Sequence, residues 1–219
     1  MQIRLTGVAL GMAVSRMLSS QCIPEEPPFS GPSSQQLTVA LAALGMLECC
    51  ALCTNNEDIQ DVAEALGEKL EDGHVYVQEG DGSWRAYAWA DVRCGNFGAY
   101  TLDPGNSIVV NSGLFFDYAD SVATAAILAG ALAHEQLHAT TLETNADFST
   151  DPTTYSDPCA VYTNEIFCHE AELFLLNCFI SCGCLSGITG AGETNITNRI
   201  TTVSSWRDHF LHLHTEKGC

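Results

Sequence analysis

Basic residues are scarce in this chain of 219 residues. Eight lysines and arginines stand against 27 aspartates and glutamates, which gives a formal net charge of −19. A surface of this charge repels phosphate backbones and anionic lipid headgroups. The composition therefore predicts no nucleic-acid partner and no binding to membrane surfaces.

The sequence also lacks a long uninterrupted apolar run beyond its first residues, so we expect no stable membrane span. The N-terminus contains Arg4, a mostly apolar stretch, Arg16 and small residues before Cys22, which together resemble a weak secretory signal. Residues 23–36 are rich in proline and serine, as is typical of a linker. We therefore predict an export segment with its linker over residues 1–36, and one globular domain over residues 37–219.

Cysteine is abundant, but the spacing of a structural zinc site is missing. The 11 cysteines include two clusters, Cys49-Cys50-x-x-Cys53 and Cys178-x3-Cys182-x-Cys184. Neither cluster contains paired C-x2-C motifs, so the sequence favours disulfides formed in an oxidising compartment. The odd count leaves at least one thiol free if the others pair within the chain. These features predict an exported protein, whether secreted, periplasmic or held at the cell surface.

Hydrophobic periodicity predicts a chain of helices with a few strands. The predicted helices cover 37–53, 57–70, about 120–140, about 162–180 and the segment from Trp206 onward. The predicted strands cover 74–78, 84–92 and 107–111, and the first two are expected to form a hairpin around the sequence EGDG. Loops are predicted over 143–158 and 187–197. The helix over 120–140 is apolar on every face, which predicts burial all round, with Asp117 or Asp120 as its N-cap.

The buried helix contains three ionisable residues in the sequence His134-Glu135-Gln136-Leu137-His138. Residues four apart lie on the same face of a helix, so the two histidines present their imidazoles to one point. Glu135 is rotated from them by about 100° and can reach a water there without being a ligand itself. The alternative is a hydrogen-bonded core histidine pair without a metal, which costs several kcal/mol unless every group is satisfied.

This motif, on a hydrophobic helix that follows a predicted strand, resembles the zincin superfamily of metallopeptidases over residues 105–180. The resemblance implies an α+β fold with a small mixed sheet, an edge strand packed on the buried HExxH helix, and a second long helix that carries the third zinc ligand. It also implies one zinc ion per chain, held by His134 and His138, and a peptide or protein substrate. Peptide bonds would be hydrolysed through a metal-activated water with Glu135 as general base.

The third ligand is sought on the second long helix, because positions 141 and 144 are threonine and the extended metzincin pattern is absent. Gluzincins use a glutamate from a later helix, and thermolysin-like enzymes have the motif N-E-x-x-x-D there. This chain has Asn164-Glu165 with His169 at the last position, which favours Glu165 as the ligand and His169 as a residue that orients the ligands. Glu170 and Glu172 remain alternatives. Glu165, His169 and Glu172 share one helical stripe, and Glu170 lies on another.

Several other candidates stay open at the level of sequence. Tyr155 and Tyr162 are candidate transition-state donors, and the C-terminal histidines His209, His212 and His214 are candidates for an accessory site, although a surface cluster is the simpler interpretation. Cys50-x-x-Cys53 has the spacing of a redox motif but lacks a βαβ context. The alternative function is a disulfide-stapled exported binding or structural protein that retains a zincin scaffold without catalysis.

Overall fold

The computed structural model describes residues 29–78, 85–88, 91–94, 99–102, 107–116, 120–142 and 158–219. The helices are α1 Ser34–Thr54, α2 Glu57–Glu71, α3 Gly113–Phe116, α4 Ser121–Leu142, α5 Pro158–Ser181 and α6 Gly190–Lys217. The strands are β1 Phe29–Ser30, β2 Val75–Gln78, β3 Arg85–Ala88, β4 Asp91–Cys94, β5 Ala99–Leu102 and β6 Ser107–Asn111. The predicted export segment, most of the loop over 143–158 and the candidate cap Asp117 lie outside the described residues.

Helix α4 forms the centre of the fold. It contacts α1, α2, α5 and α6 as well as strands β5 and β6. Nearly every described side chain from Ala123 to Gln136 is buried, so the predicted helix with apolar residues on every face is confirmed. Because alanine and glycine dominate this helix, neighbouring helices can approach its backbone from several sides at once.

The N-terminus of α4 is fixed by Asp120, which confirms this residue as the predicted N-cap. One carboxylate oxygen, Oδ1, accepts hydrogen bonds from the backbone amides of Val122 and Ala123. The other, Oδ2, accepts from the backbone amide and the hydroxyl of Thr189, which precedes α6. These hydrogen bonds, led by that of the Thr189 hydroxyl, lower the pKa of Asp120 to about 2. One side chain therefore joins the starts of α4 and α6.

A small mixed sheet lies beside α4, in the strand order β1-β2-β6-β5. Strands β2 and β6 are parallel, with Val75 opposite Ile108 and Val77 opposite Val110. The hairpin predicted between strands 74–78 and 84–92 is therefore wrong, because the second segment forms β3 and β4, which pair with each other. These four buried apolar side chains explain the parallel pairing, since it places them in the core. The fold is α+β, and β5, at an edge of the sheet among the described strands, contacts α4.

Two segments that the sequence predicts as a loop and a linker contain regular secondary structure. The predicted loop over 187–197 is wrong, since α6 begins at Gly190 and the Thr189 hydroxyl accepts a hydrogen bond from the Gly192 amide. Buried Ile196, Val203 and Phe210, spaced by seven residues, keep this long helix on the core. The predicted linker over 23–36 likewise contains β1 and the first turn of α1, where Ser33 and Gln36 form a capping box.

Four disulfides join distant parts of the chain. The pairs are Cys49–Cys184, Cys50–Cys178, Cys53–Cys182 and Cys159–Cys219. The first three fasten the end of α1 to the end of α5 and the turn after it, so the disulfide interpretation of both clusters is confirmed. A redox pair between Cys50 and Cys53 is wrong, because each of these cysteines pairs with α5 or the turn after it. Cys168 is a free, buried thiol.

Helix α1 is long and apolar enough to cross a membrane by length and composition, and 28% of its most apolar window is buried inside the fold. It packs against α2, α4 and α5 and carries three of the disulfides. The disulfides and this apolar helix near the N-terminus are compatible with export, which stays a prediction.

The junction of α4 and α6 gives a test of the fold. A Cβ atom at Gly192 would lie 2.6 Å from Asp120 Cγ and 2.7 Å from Ile188 Cγ1, whereas a Cβ atom at Gly190 meets nothing within 4 Å. We expect Gly192→Ala to lower the free energy of unfolding by about 1–3 kcal/mol, the usual cost of overpacking. Chemical denaturation of this variant beside Gly190→Ala measures the effect, and equal stability of the two variants would contradict the packing described here.

Candidate metal centre

The two histidines of the HExxH motif converge on one point inside the protein. His134 and His138 are one turn apart on α4, and their Nε2 atoms lie 3.0 Å from each other. Both side chains are buried, with relative exposures of 7% and 6%. Helix α4 holds them against α5, which supplies the polar groups that surround them.

The outer nitrogen of each ring faces an oxygen that can only accept a hydrogen bond. His138 Nδ1 donates to the amide oxygen of Asn164, and His134 Nδ1 lies 3.4 Å from Glu172 Oε2. A neutral imidazole with its proton on Nδ1 carries a lone pair on Nε2. In this tautomer both rings would direct a lone pair into the space between them, where a cation could bind.

Glu165 of α5 completes a set of three donors. Its two oxygens lie 3.6 Å from His138 Nε2 and 3.9 Å from His134 Nε2. Donor atoms of these three residues all lie within 4.8 Å of one another. Two ligand nitrogens of a tetrahedral zinc site are roughly 3.3 Å apart, given Zn–N bonds of ~2.0–2.1 Å. The separations around this point are close to that value, so two imidazoles and one carboxylate fit a zinc ion.

The charges of the site also favour a cation. Burial raises the pKa of Glu165 to about 8; the charge of His134 opposes this shift and that of Glu135 adds to it. Burial and the charge of His134 lower the pKa of His138 to about 3. Burial disfavours the charged form of His134, but the neighbouring carboxylates, Glu172 first, raise its pKa above the usual value. A metal would therefore displace protons that this pocket otherwise retains.

Glu135, the predicted general base, is itself buried, with 8% of its surface exposed. Its negative charge raises the pKa of both His134 and Glu165. It belongs to neither group of residues that could hold a metal ion, in agreement with its rotation of about 100° away from the histidines along the helix.

A second group of donors shares His134 with the first. It consists of His134, His169 and Glu172. Glu172 is held by Arg199, whose Nε and Nη2 atoms lie 2.7 and 2.6 Å from Oε1. Although burial opposes its ionisation, Arg199 and His134 lower the pKa of Glu172 to about 2. Because its charge is already neutralised by an arginine, Glu172 is a poorer metal ligand than Glu165.

The remaining candidates on α5 lie on two different faces of the helix, as the sequence predicts. Glu165, His169 and Glu172 are buried, whereas Glu170 is exposed and lies outside both donor groups. His169 Nε2 is 3.6 Å from Glu165 Oε2, which is where a residue that orients this ligand would lie. Burial and the charge of His134 lower the pKa of His169 to about 2, so its ring is neutral.

Among the described residues, the C-terminal histidines belong to neither donor group. Tyr155 lies outside the described residues. Tyr162 is fully buried, and its ring lies 6.5 Å from that of Phe210. On α6, His212 is exposed and pairs with Glu216 at 3.3 Å, and no described donor group includes a C-terminal histidine. A surface cluster is thus the better description of these histidines.

Several residues around the site were not predicted from the sequence. Arg199 and Trp206 come from α6, and Phe210 of the same helix lies against the ring of His169, with the ring centroids 5.7 Å apart. The free thiol of Cys168 is 3.5 Å from His138 Nδ1. No local sequence pattern predicts that these residues lie at the site, because they reach it only through the packing of α5 and α6.

No known protein family, curated protein or solved structure matches this chain. The assignment of a function therefore depends on the chemistry of the site itself.

Proposed function

We propose that this chain is a zinc-dependent metallopeptidase. The observation that carries the proposal is the convergence of two imidazole Nε2 atoms and one carboxylate on a single buried point, on a helix where the next residue is a glutamate outside the donor set. Groups of this kind are costly to bury without a cation between them. The HExxH order on one helix, with the third donor on the following helix, supports a zincin-like site rather than a generic metal site.

His134, His138 and Glu165 would hold the zinc ion. When bound, zinc lowers the pKa of a water molecule towards neutrality and polarises the carbonyl of the scissile bond. Asn164 accepts a hydrogen bond from His138 Nδ1 and so orients that ring, and Glu172 Oε2 lies 3.4 Å from His134 Nδ1. Two neutral imidazoles and one carboxylate contribute a single negative charge, which leaves the site Lewis-acidic.

Glu135 supplies the acid–base chemistry. As the carboxylate, it accepts a proton from the attacking water, and as the carboxylic acid it then donates this proton to the amine that leaves. Glu135 is 8% exposed, so bulk water is largely excluded from these proton transfers.

The substrate is proposed to bind along the edge of the sheet. Among the described strands, β5 pairs on one side only, with β6, and it contacts α4. An extended peptide can add to such an edge through backbone hydrogen bonds. This would place a peptide bond close to the helix that carries His134 and Glu135, and it favours peptides or unfolded protein segments as the proposed substrate class.

Peptide hydrolysis with metal removal tests the proposal. The purified protein is incubated with a diverse peptide mixture, and new termini are detected by mass spectrometry. We expect cleavage that is lost after treatment with a zinc chelator and restored by stoichiometric zinc. Zinc binding without any cleavage would instead support a disulfide-stapled binding or structural protein on the same scaffold, and cleavage that survives complete metal removal would contradict the proposal.

A further inference from the structure

The carboxylate behind His134 is held by a buried ion pair. Glu172 is 1% exposed, and its Oε1 atom accepts a hydrogen bond from Nε of Arg199 on α6, whose Nη2 atom lies 2.6 Å from the same oxygen. The other oxygen, Oε2, lies 3.4 Å from His134 Nδ1. The chain thus places three groups in a row, from the arginine through the carboxylate to the imidazole.

Two neighbouring residues, one on each side, accommodate this row of three side chains. Gly130 is the glycine of α4, and a Cβ atom there would lie 3.1 Å from Glu172 Cγ and 3.5 Å from Oε1. Glycine weakens a helix interior relative to alanine, yet here it allows Glu172 to approach α4 closely. On the other side, the guanidinium of Arg199 lies over the ring of Trp206, with 5.2 Å between its Cζ atom and the ring centroid.

The two histidines are therefore oriented by different means. His138 donates to Asn164, a neutral amide that precedes Glu165 in the chain. His134 faces a charged carboxylate whose position is set from another helix. A carboxylate partner keeps the proton on Nδ1 and makes Nε2 a stronger electron-pair donor.

We propose that Glu172 and Arg199 are a positioning pair for His134, an inference that rests on the proposed zinc site. Arg199 fixes the rotation of the Glu172 carboxylate, and Glu172 fixes the ring and the tautomer of His134. The metal itself contacts neither residue. If Glu172 were a ligand of a second metal site, the chain would bind two zinc ions. A positioning pair instead requires one zinc ion per chain, and Glu172 then acts on zinc affinity only through His134.

Zinc affinity and the ring proton of His134 test the pair. In Glu172→Gln, the amide oxygen still accepts from Arg199, so the amide NH2 faces His134 Nδ1. The amide and the ring then both present a hydrogen-bond donor, and no hydrogen bond can form between them. We expect zinc affinity, measured by competition with a chelator, to fall about 10- to 100-fold. In proton NMR spectra, the wild type should show an exchange-protected, downfield Nδ1–H resonance that disappears in His134→Gln and is lost or moved upfield in Glu172→Gln.

The role of Arg199 is tested by combining its substitution with that of Glu172. Arg199→Met should weaken zinc binding in the wild type and have no further effect in the Glu172→Gln background, because both changes act on the same ring. Arg199→Lys should recover part of the affinity by restoring a positive charge. Arg207→Met, which removes an exposed arginine of the same helix that pairs with Asp208, is the matched control and should bind zinc as the wild type does.

If Glu172→Gln alone fails to fold, the Glu172→Gln/Arg199→Met double variant removes both charges together and takes its place. Unchanged zinc affinity and an unchanged Nδ1–H resonance in either folded variant would overturn the positioning pair. Two zinc ions per wild-type chain would overturn it as well. If the wild type binds no zinc or cleaves no peptide, the proposed peptidase function fails, and the Nδ1–H resonance still decides whether Glu172 orients His134.

Discussion

Glu135→Gln is expected to lower kcat/KM for peptide hydrolysis about 10²- to 10⁴-fold while leaving the zinc content at one ion per chain. Glutamine has nearly the same shape but cannot take a proton from water at neutral pH. Glu135 belongs to neither donor group, so its neutralisation removes the base without removing a ligand. Loss of activity with full retention of metal is the signature of a general base beside a metal site.

The comparison needs two measurements on the same preparations. Peptide cleavage gives kcat/KM, and elemental analysis gives the zinc content. Glu170→Gln is the matched control, because it removes a carboxylate from the exposed side of α5 and should leave both quantities unchanged. Full activity of Glu135→Gln would remove Glu135 from the mechanism, and loss of zinc from this variant would make Glu135 a ligand instead.

Glu165→Gln is expected to weaken zinc binding by at least about 100-fold, more than the loss of a residue that only orients a ligand. Its carboxylate oxygens lie 3.6 and 3.9 Å from the two Nε2 atoms and supply the only negative charge of the donor set. A neutral amide is a much poorer ligand for zinc. The remaining histidines would hold the metal with two protein ligands, which is too few for a stable site.

Titration with zinc against a chelator measures this loss, and circular dichroism shows whether the variant remains folded. Glu170→Gln again serves as control, since this residue is exposed and lies outside both donor groups. Retention of zinc by Glu165→Gln together with its complete loss from Glu172→Gln would place the metal between His134, His169 and Glu172 instead.

The helical parts of the site were predictable because their patterns are local. A run of small and apolar residues predicts burial of α4, and a spacing of four places His134 and His138 on one face. The same helical geometry separates buried Glu165 and Glu172 from exposed Glu170. The order Asn164-Glu165 selects the glutamate that the structure brings closest to both Nε2 atoms, although its role as a ligand stays a prediction.

The parts that could not be predicted depend on residues far apart in the chain. The parallel pairing of β2 with β6 requires a long connection, whereas the local sequence EGDG favours a hairpin that does not form. The start of α6 has the glycines and threonines of a loop, and its N-cap Thr189 is hydrogen-bonded to Asp120, 69 residues earlier in the chain. Arg199 was missed for the same reason, since its partner Glu172 is on another helix.

The zinc content of the purified protein, measured by elemental analysis for the wild type beside His138→Ala, tests the central claim most directly. We predict one zinc ion per wild-type chain and its loss from the variant, because His138 supplies one of three converging donors. If wild-type protein purified without chelator contains no zinc and takes up none from micromolar solution, the histidines are structural and the metallopeptidase proposal is wrong.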